Sequence, residues 1–348
     1  MAKKDIVVVG ASAGGMEPLR DLVAGLPDDF AASVFVVWHT SPSVKSVLPR
    51  LLDKSGPLRA AFAIDHEPIE PRRIYVAPAD HHLLLERGFV RVTKGPKENR
   101  FRPAIDPLFR SAAYVYGPRT IGIVLSGALD DGTAGLWTIK LRGGTTIVQE
   151  PEEAVIPAMP LNALRSVEVD YTARIAELSE LLARLVGEEA QPAAELPVAE
   201  RLKTETELRI AAEASALERK ILETGDLSPY TCPECHGVLT RIQEGRVVRF
   251  RCHTGHAYSA NSLLSSVSES VEQLLFEALR AIDETALLLT HLGGHFRDAG
   301  DSVSAAAFVK KAEEAKQRGL VIRRVAVQSE QLDEEKLALP QEISAARR

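Results

Sequence analysis

The stretch Ile6-Val7-Val8-Val9-Gly10-Ala11-Ser12-Ala13-Gly14-Gly15 decides the fold. Four β-branched residues read as a strand buried on both faces, and the glycine-rich turn after them opens a helix. A serine flanked by glycines at such a turn exposes a nucleophilic hydroxyl. The competing reading is a phosphate cradle. The dinucleotide fingerprint, however, wants a glycine where Ser12 stands and an acidic residue at the end of the next strand. Here the next apolar run, Val34-Phe35-Val36-Val37-Trp38, ends at His39, and no Gly-Lys-Ser/Thr of a P-loop is present.

Working outward, strands are expected at 5–9, 33–38, 73–77, 121–126 and 145–149. Helical patterns follow near 15–25, 43–53, 106–114, 132–142 and 172–186. This alternation predicts an α/β fold with a doubly wound, mainly parallel sheet. Residues 83–92 read as a hairpin turning at Arg87-Gly88, an excursion at the sheet edge. A polar, proline-bearing linker and a charged helix (198–223) are expected over 187–228, and a cysteine-bearing module over 229–260. Two long helical stretches, 261–292 and 302–333, are expected to break at Gly293-Gly294. In the first, Leu264, Val267, Val271, Leu274, Ala278, Ala281, Thr285, Leu288 and Leu292 alternate spacings of three and four. In the second, Ala305, Phe308, Ala312, Ala315, Gly319, Ile322 and Ala326 do the same. The pattern predicts an antiparallel helical hairpin, either self-contained or offering a face to a helical partner or a second copy.

The 348 residues carry a net charge of −6, which gives no electrostatic footprint for nucleic acid. No apolar run is long enough for membrane insertion, and the N-terminus lacks a signal-peptide core, so a cytoplasmic location is expected. The three cysteines all lie between 232 and 252, a clustering that favours metal over disulfides in such a chain.

A serine hydroxyl needs a base, and the base needs an orienting carboxylate. In open α/β sheets these collect at the carboxyl ends of strands. The first strand ends at Ser12, the second at His39. The fourth runs into Leu125-Ser126-Gly127-Ala128-Leu129-Asp130-Asp131-Gly132, where Asp130 and Asp131 are both candidates for the third member or for helix capping. The order Ser, His, Asp differs from the Ser, Asp/Glu, His of α/β-hydrolases, so a separate α/β fold is expected.

Residues 5–186 resemble the catalytic domain of the CheB family of chemotaxis receptor methylesterases. The resemblance rests on 10–15, on Trp38-His39-Thr40, on Ile74-Tyr75-Val76-Ala77-Pro78, on Arg102-Pro103-Ala104-Ile105-Asp106-Pro107-Leu108-Phe109-Arg110-Ser111 and on 125–132, all in family order. It implies a triad of Ser12, His39 and Asp131, so it selects Asp131 over Asp130. It implies hydrolysis of glutamate methyl esters on a methyl-accepting chemoreceptor without a catalytic cofactor, and possible glutamine deamidation by the same acyl chemistry. Oxyanion donors are expected among the backbone N–H groups near Ala13 and 127–129. Arg102 and Asp106 are expected to anchor a loop and cap a helix; His66, His81 and His82 are expected to be surface or loop residues. The family's usual form has a receiver domain ahead of the catalytic one, whereas here the matching stretch begins at residue 5, so phosphorylation control is not expected. Ala13 and Ala128 stand where the family commonly has threonine and methionine. The rival reading, a non-catalytic scaffold that binds partners through its C-terminal half, has no need of three triad groups.

Cys232-Pro233-Glu234-Cys235-His236-Gly237 and Cys252-His253-Thr254-Gly255-His256 flank a hairpin around Glu244-Gly245. Three thiolates and one imidazole suit a closed, structural tetrahedral zinc. Cys232, Cys235, Cys252 and His256 are the expected ligands in a zinc-ribbon-like module. His253 is the rival to His256, and His236 is less favoured.

Overall fold

A computed structural model of the protein describes residues 2–40, 46–192, 197–212, 221, 225–328 and 332. The first strand, β1 (Ile6–Ala11), is buried along its whole length. Its side chains alternate between two cores, as the pleat requires. Val7 and Val9 join one core with Leu19, Leu22, Leu52, Leu178 and Leu182. Ile6 and Val8 join the other with Ile105, Leu108, Phe109, Leu136 and Ile139. A strand apolar on both faces is stable only with helices above and below it, which is why the run carries no polar residue.

Around β1 lie α1 (Met16–Ala24), β2 (Ser33–Trp38), α2 (Leu48–Ser55), β3 (Arg59–Phe62) and β4 (Arg73–Val76). After an antiparallel hairpin of β5 (His82–Glu86) and β6 (Phe89–Thr93) come α3 (Ile105–Tyr116), β7 (Thr120–Val124), α4 (Thr133–Leu141) and β8 (Thr145–Gln149). Next are α5 (Ala158–Ser166), β9 (Tyr171–Ala173), α6 (Ile175–Leu185) and α7 (Val198–Ala211). The seven-stranded sheet has the order β3-β4-β2-β1-β7-β8-β9, and every pairing is parallel. The winding reverses at β1, so the switch point lies at the carboxyl ends of β1, β2 and β7.

The expected strands and helices of this part are present, with three additions. Strands β3 and β9 are short edge strands of four and three residues, too brief for a periodic signal. Helix α5 follows a proline and carries another inside it, which masks its pattern. Of the charged helix, 198–211 is helical; its expected later part, like the start of the helix expected at 43–53, lies largely outside the described residues.

The cysteine segment forms a four-stranded antiparallel sheet of β10 (Asp226–Thr231), β11 (Val238–Glu244), β12 (Val247–Cys252) and β13 (Ala257–Ser259). It belongs to the same compact unit as the α/β body, whose boundary falls at Leu263/Leu264. The two meet across a buried set of charges. Arg249 and Arg251 of β12 reach Glu98 at 3.0 and 2.6 Å, and Glu207 of α7 at 2.8 and 2.6 Å. Arg110 of α3 lies 3.4 Å from Glu98, and Glu244 lies 3.3 Å from Arg249. Burial resists the charge on Glu98, but Arg251, Arg110 and Arg249 outweigh it and hold its carboxyl far below the usual range.

Beyond Leu263 the second unit is built from α8 (Ala260–Asp298), continuing past the boundary, and α9 (Ser302–Gln328). The two are antiparallel: Phe296 stacks on Phe308 at 5.1 Å, while Arg323 pairs with Asp283. The expected break at Gly293-Gly294 is overturned, because α8 runs through both glycines and the turn lies at Ala299 to Asp301. Gly293 is buried in the helix contact, where an added Cβ would meet Val309 at 3.3 Å and the Ala305 carbonyl at 3.4 Å. The seam of α8 also differs from the expected one. Leu279 and Ala286 are buried, whereas Val267, Val271, Leu274, Leu288 and Leu292 are exposed. In α9 the expected Ala305, Ala312, Ala315, Gly319 and Ala326 are buried.

Replacing Arg251 with alanine leaves Glu98 and Glu207 short of a partner. Removing one member of a buried ion pair costs about 3–5 kcal/mol. Arg251→Ala is expected to lower the unfolding free energy by that order, measured by urea denaturation.

Candidate active site and metal centre

Strand β1 ends at Ala11, so Ser12 is the first residue off the sheet. Its backbone is held on both sides: its N–H donates to the Ser126 carbonyl at 3.0 Å, and Trp38 Nε1–H donates to its carbonyl at 2.9 Å. Gly14 has φ +74, and a Cβ there would lie 2.8 Å from Ser126 Oγ, so the turn demands glycine. Helix α1 then carries the chain away from the hydroxyl.

His39 follows β2, and its ring lies between the other two groups. Ser12 Oγ–H donates to Nδ1 at 3.0 Å, and Nε2–H donates to Asp131 Oδ2 at 2.7 Å. The nitrogen facing the serine is therefore Nδ1. Phe101 stacks flat on the imidazole, with centroids 3.8 Å apart and planes 9° apart. Asp131 is 2 % exposed. Besides His39 it accepts from Ile105 N at 2.7 Å, Asn99 Nδ2 at 2.9 Å, Gly132 N at 3.0 Å and Asp106 N at 3.3 Å. Two of these donors are the first N–H groups of α3, whose positive end thus faces the carboxylate. Burial works against the charge, yet the bonds from His39, Ile105 and Asn99 outweigh it and lower the pKa of Asp131.

Asp131, not Asp130, bonds His39; Asp130 Oδ1 accepts from Ser259 Oγ at 2.5 Å. Gly127 N–H donates to the Ile156 carbonyl at 3.0 Å, so it is committed within the fold. Arg102 anchors its loop through two bonds to Asp80, at 2.7 and 2.9 Å, and one to the Gly95 carbonyl. Asp106 ties α3 to α4 by accepting from Gly135 N at 2.7 Å. His66 is exposed, but the expectation for His82 is corrected. It is fully buried on β5, bonded to the Pro96 carbonyl at 2.9 Å, and burial lowers its pKa. Asn99 and Phe101 carried no recognisable signal, since an asparagine and a phenylalanine in a polar loop read as turn residues.

Cys232, Cys235, Cys252 and His256 converge, with ligand atoms all within 4.8 Å of one another. Cys235 Sγ lies 3.5 Å from Cys252 Sγ, and His256 Nδ1 lies 3.7 Å from the sulfurs of Cys232 and Cys252. A tetrahedral zinc with sulfur bonds of about 2.3 Å needs ligand separations of that size. His256 Nε2 faces Glu234 Oε2 at 3.4 Å, the kind of outer carboxylate that orients a metal-binding imidazole. Matching turns build the two halves: His236 N bonds the Cys232 carbonyl at 2.8 Å, and Gly255 N bonds the Cys252 carbonyl at 3.0 Å. The ring of His253 packs over Gly237, and neither it nor His236 belongs to the cluster.

Burial and the neighbouring Asp131 push the Asp106 carboxyl up to about 7. Its folded pKa lies above the unfolded value, so the native state binds more protons in this window. Its contribution to stability is fully present at low pH and is lost as pH rises from about 4 through 7. Asp106→Asn resembles the protonated form. Thermal melts from pH 4 to 7 should therefore show wild type losing stability relative to the variant as pH rises.

The profile of the CheB methylesterase family matches residues 7–182. A Leptospira interrogans protein is 35% identical over 182 residues, 52% of this chain and 94% of that protein. The protein-glutamate methylesterase/protein-glutamine glutaminase of Thermotoga maritima is 35% identical over 185 residues, and the match spans 54% of its length. The crystal structure of the Thermotoga maritima CheB methylesterase catalytic domain aligns with a TM-score of 0.52 at 35% identity, covering 53% of this chain and 100% of that domain. With a family match over half of its length and this strand order, the chain belongs to the CheB methylesterase family.

Proposed function

We propose that the protein is a serine carboxyl-esterase that hydrolyses glutamate methyl esters on chemoreceptor-type proteins. The observation that carries this reading is the bonded series from Ser12 Oγ through His39 to Asp131. Ser12 Oγ attacks the ester carbonyl while His39 Nδ1 takes its proton. Asp131 holds Nε2–H, orients the ring and stabilises the imidazolium. The proton passes to the departing methoxide, giving methanol and an acyl-enzyme. Water, deprotonated by the same nitrogen, then releases the glutamate carboxylate and restores Ser12. A glutamine amide enters the same cycle with ammonia as the leaving group, which supports a secondary deamidase activity. With Gly127 N–H committed, Ala13 and the 128–129 backbone are the proposed oxyanion donors.

No described helix is long and apolar enough to cross a membrane. Free cysteines support a reducing, cytoplasmic setting. Zinc at Cys232, Cys235, Cys252 and His256 is proposed as a structural ion, since four protein ligands leave no open position for catalysis.

Methanol release from a methylated receptor fragment tests the esterase reading. Ser12→Ala and His39→Ala are each expected to reduce it by roughly 10⁴-fold or more. Equal rates for wild type and Ser12→Ala would sink the reading. Elemental analysis is expected to find one zinc per chain, lost in Cys235→Ser together with thermal stability; a metal-free wild type that melts unchanged with chelator would refute the site.

A further inference from the structure

The turn at 98–101 touches the triad twice and is held from the ribbon side three times. Within the site, Asn99 Nδ2 donates to Asp131 and Phe101 covers the ring of His39. Asn99 and Arg100 both have positive φ, +49 and +76, so the turn is a left-handed pair that the surroundings must stabilise. From the ribbon side, Arg249 and Arg251 grip Glu98. Strand β13 then lies along the turn: Asn99 N–H donates to the Ala257 carbonyl at 2.8 Å, and Ala257 N–H donates to the Lys97 carbonyl at 3.1 Å. Finally, Asn99 Oδ1 accepts from Ser259 N at 2.8 Å and from Ser262 Oγ at 3.2 Å.

Every polar atom of the Asn99 side chain is thereby assigned. Its oxygen faces the ribbon; its nitrogen faces Asp131 and Asp106, each at 2.9 Å. An amide held at the oxygen cannot flip, so its N–H groups stay aimed at the carboxylates. Ser259 is itself fixed, because its Oγ donates to Asp130 and accepts from Ser262 N at 3.0 Å, capping the first turn of α8. His256 immediately precedes Ala257, so whatever holds the cysteine cluster also anchors β13.

We propose that the ribbon acts as a built-in positioning element of the esterase site: β13 locks Asn99, and Asn99 locks Asp131 and the 98–101 turn against His39. The inference rests on the esterase reading for its rate effect, but its structural half stands separately. Asn99 and Ser259 act through Asp131, so they are positioning residues. The family match ends at residue 182, ahead of the ribbon, and the solved catalytic domain of the Thermotoga relative covers 53% of this chain. The ribbon side of the lock therefore lies outside the family match, and its loss should weaken catalysis while leaving Ser12, His39 and Asp131 in the chain.

The test uses the full chain. Ser259→Pro deletes the N–H that holds Asn99, and proline is tolerated in an edge strand where the N–H is outside the ladder. It is expected to lower kcat on a methylated receptor fragment about ten- to a hundredfold with KM little changed. Asn99→Ala should do the same, and the double variant should be no slower than Asn99→Ala alone. Hydrogen exchange at 98–106 should quicken in Ser259→Pro while β1 and β7 keep their protection. A folded Ser259→Pro with wild-type kcat and unchanged exchange at 98–101 overturns the proposal, as do effects that multiply in the double variant. Should Ser259→Pro not fold, Ser262→Ala takes its place in the same cycle, with a two- to fivefold effect expected on the order of one lost hydrogen bond. Failure of wild type to release methanol would count against the esterase reading, while the exchange measurement still decides the lock.

Discussion

Asp131 must remain ionised while almost fully buried, and much of the first unit is arranged around that demand. A lone carboxylate taken out of water would bind a proton instead. Here five N–H donors surround it, from His39, Asn99, Gly132 and the first two residues of α3. The helix end and the glycine after Asp131 are backbone features, so they cannot be altered without moving α3 or α4. Asp106, close by, meets the opposite fate: burial, and then the charge of neighbouring Asp131, raise its pKa. Two aspartates 25 residues apart in sequence thus take different protonation behaviour from one short stretch of structure.

The buried charges behind the site follow the same logic on a larger scale. Three arginines and three glutamates replace what would otherwise be an apolar contact between the α/β body and the ribbon sheet. Such clusters add little net stability against a well-packed apolar alternative, because desolvation offsets the attraction. Their geometric demand is stricter: Arg251 satisfies Glu98, Glu207 and the Gly255 carbonyl only in one docking arrangement. Cost without specificity would be hard to explain here, and the placement of β13 beside Asn99 is what the arrangement secures.

The parallel sheet, and Ser12, His39 and the Asp130/Asp131 pair at strand ends, were legible because periodicity locates strands; the choice of Asp131 over Asp130 came from the family resemblance. The convergence of Cys232, Cys235, Cys252 and His256 was legible because Cys-x-x-Cys and Cys-x-x-x-His spacings constrain geometry within a few residues. Asn99 and Ser259 were not legible, since they meet across 160 residues, and Phe101 was not because it meets His39 from a distant loop; no local pattern encodes either contact. The α8 seam failed for a different reason. Its sequence carries two apolar stripes of similar spacing, and periodicity alone cannot say which one is covered. The small residues of α9, Ala305 to Ala326, demanded close approach and so met the stripe containing Ala286 and Gly293.

The separation of Asn99 from Ser259 also sets an order of events during synthesis. At a translation rate of about 5–20 residues per second, the partner of Asn99 emerges roughly 8–30 s after it. Until residues 249–259 emerge, Glu98 lacks Arg249 and Arg251, and the turn beside His39 has no strand lying along it. A nascent chain on the ribosome therefore carries a complete Ser12, His39 and Asp131 without the clasp that aligns them. Full esterase competence arrives only once the final strand of the ribbon is out, so a chain interrupted before Ser262 would be released as a poorly tuned hydrolase.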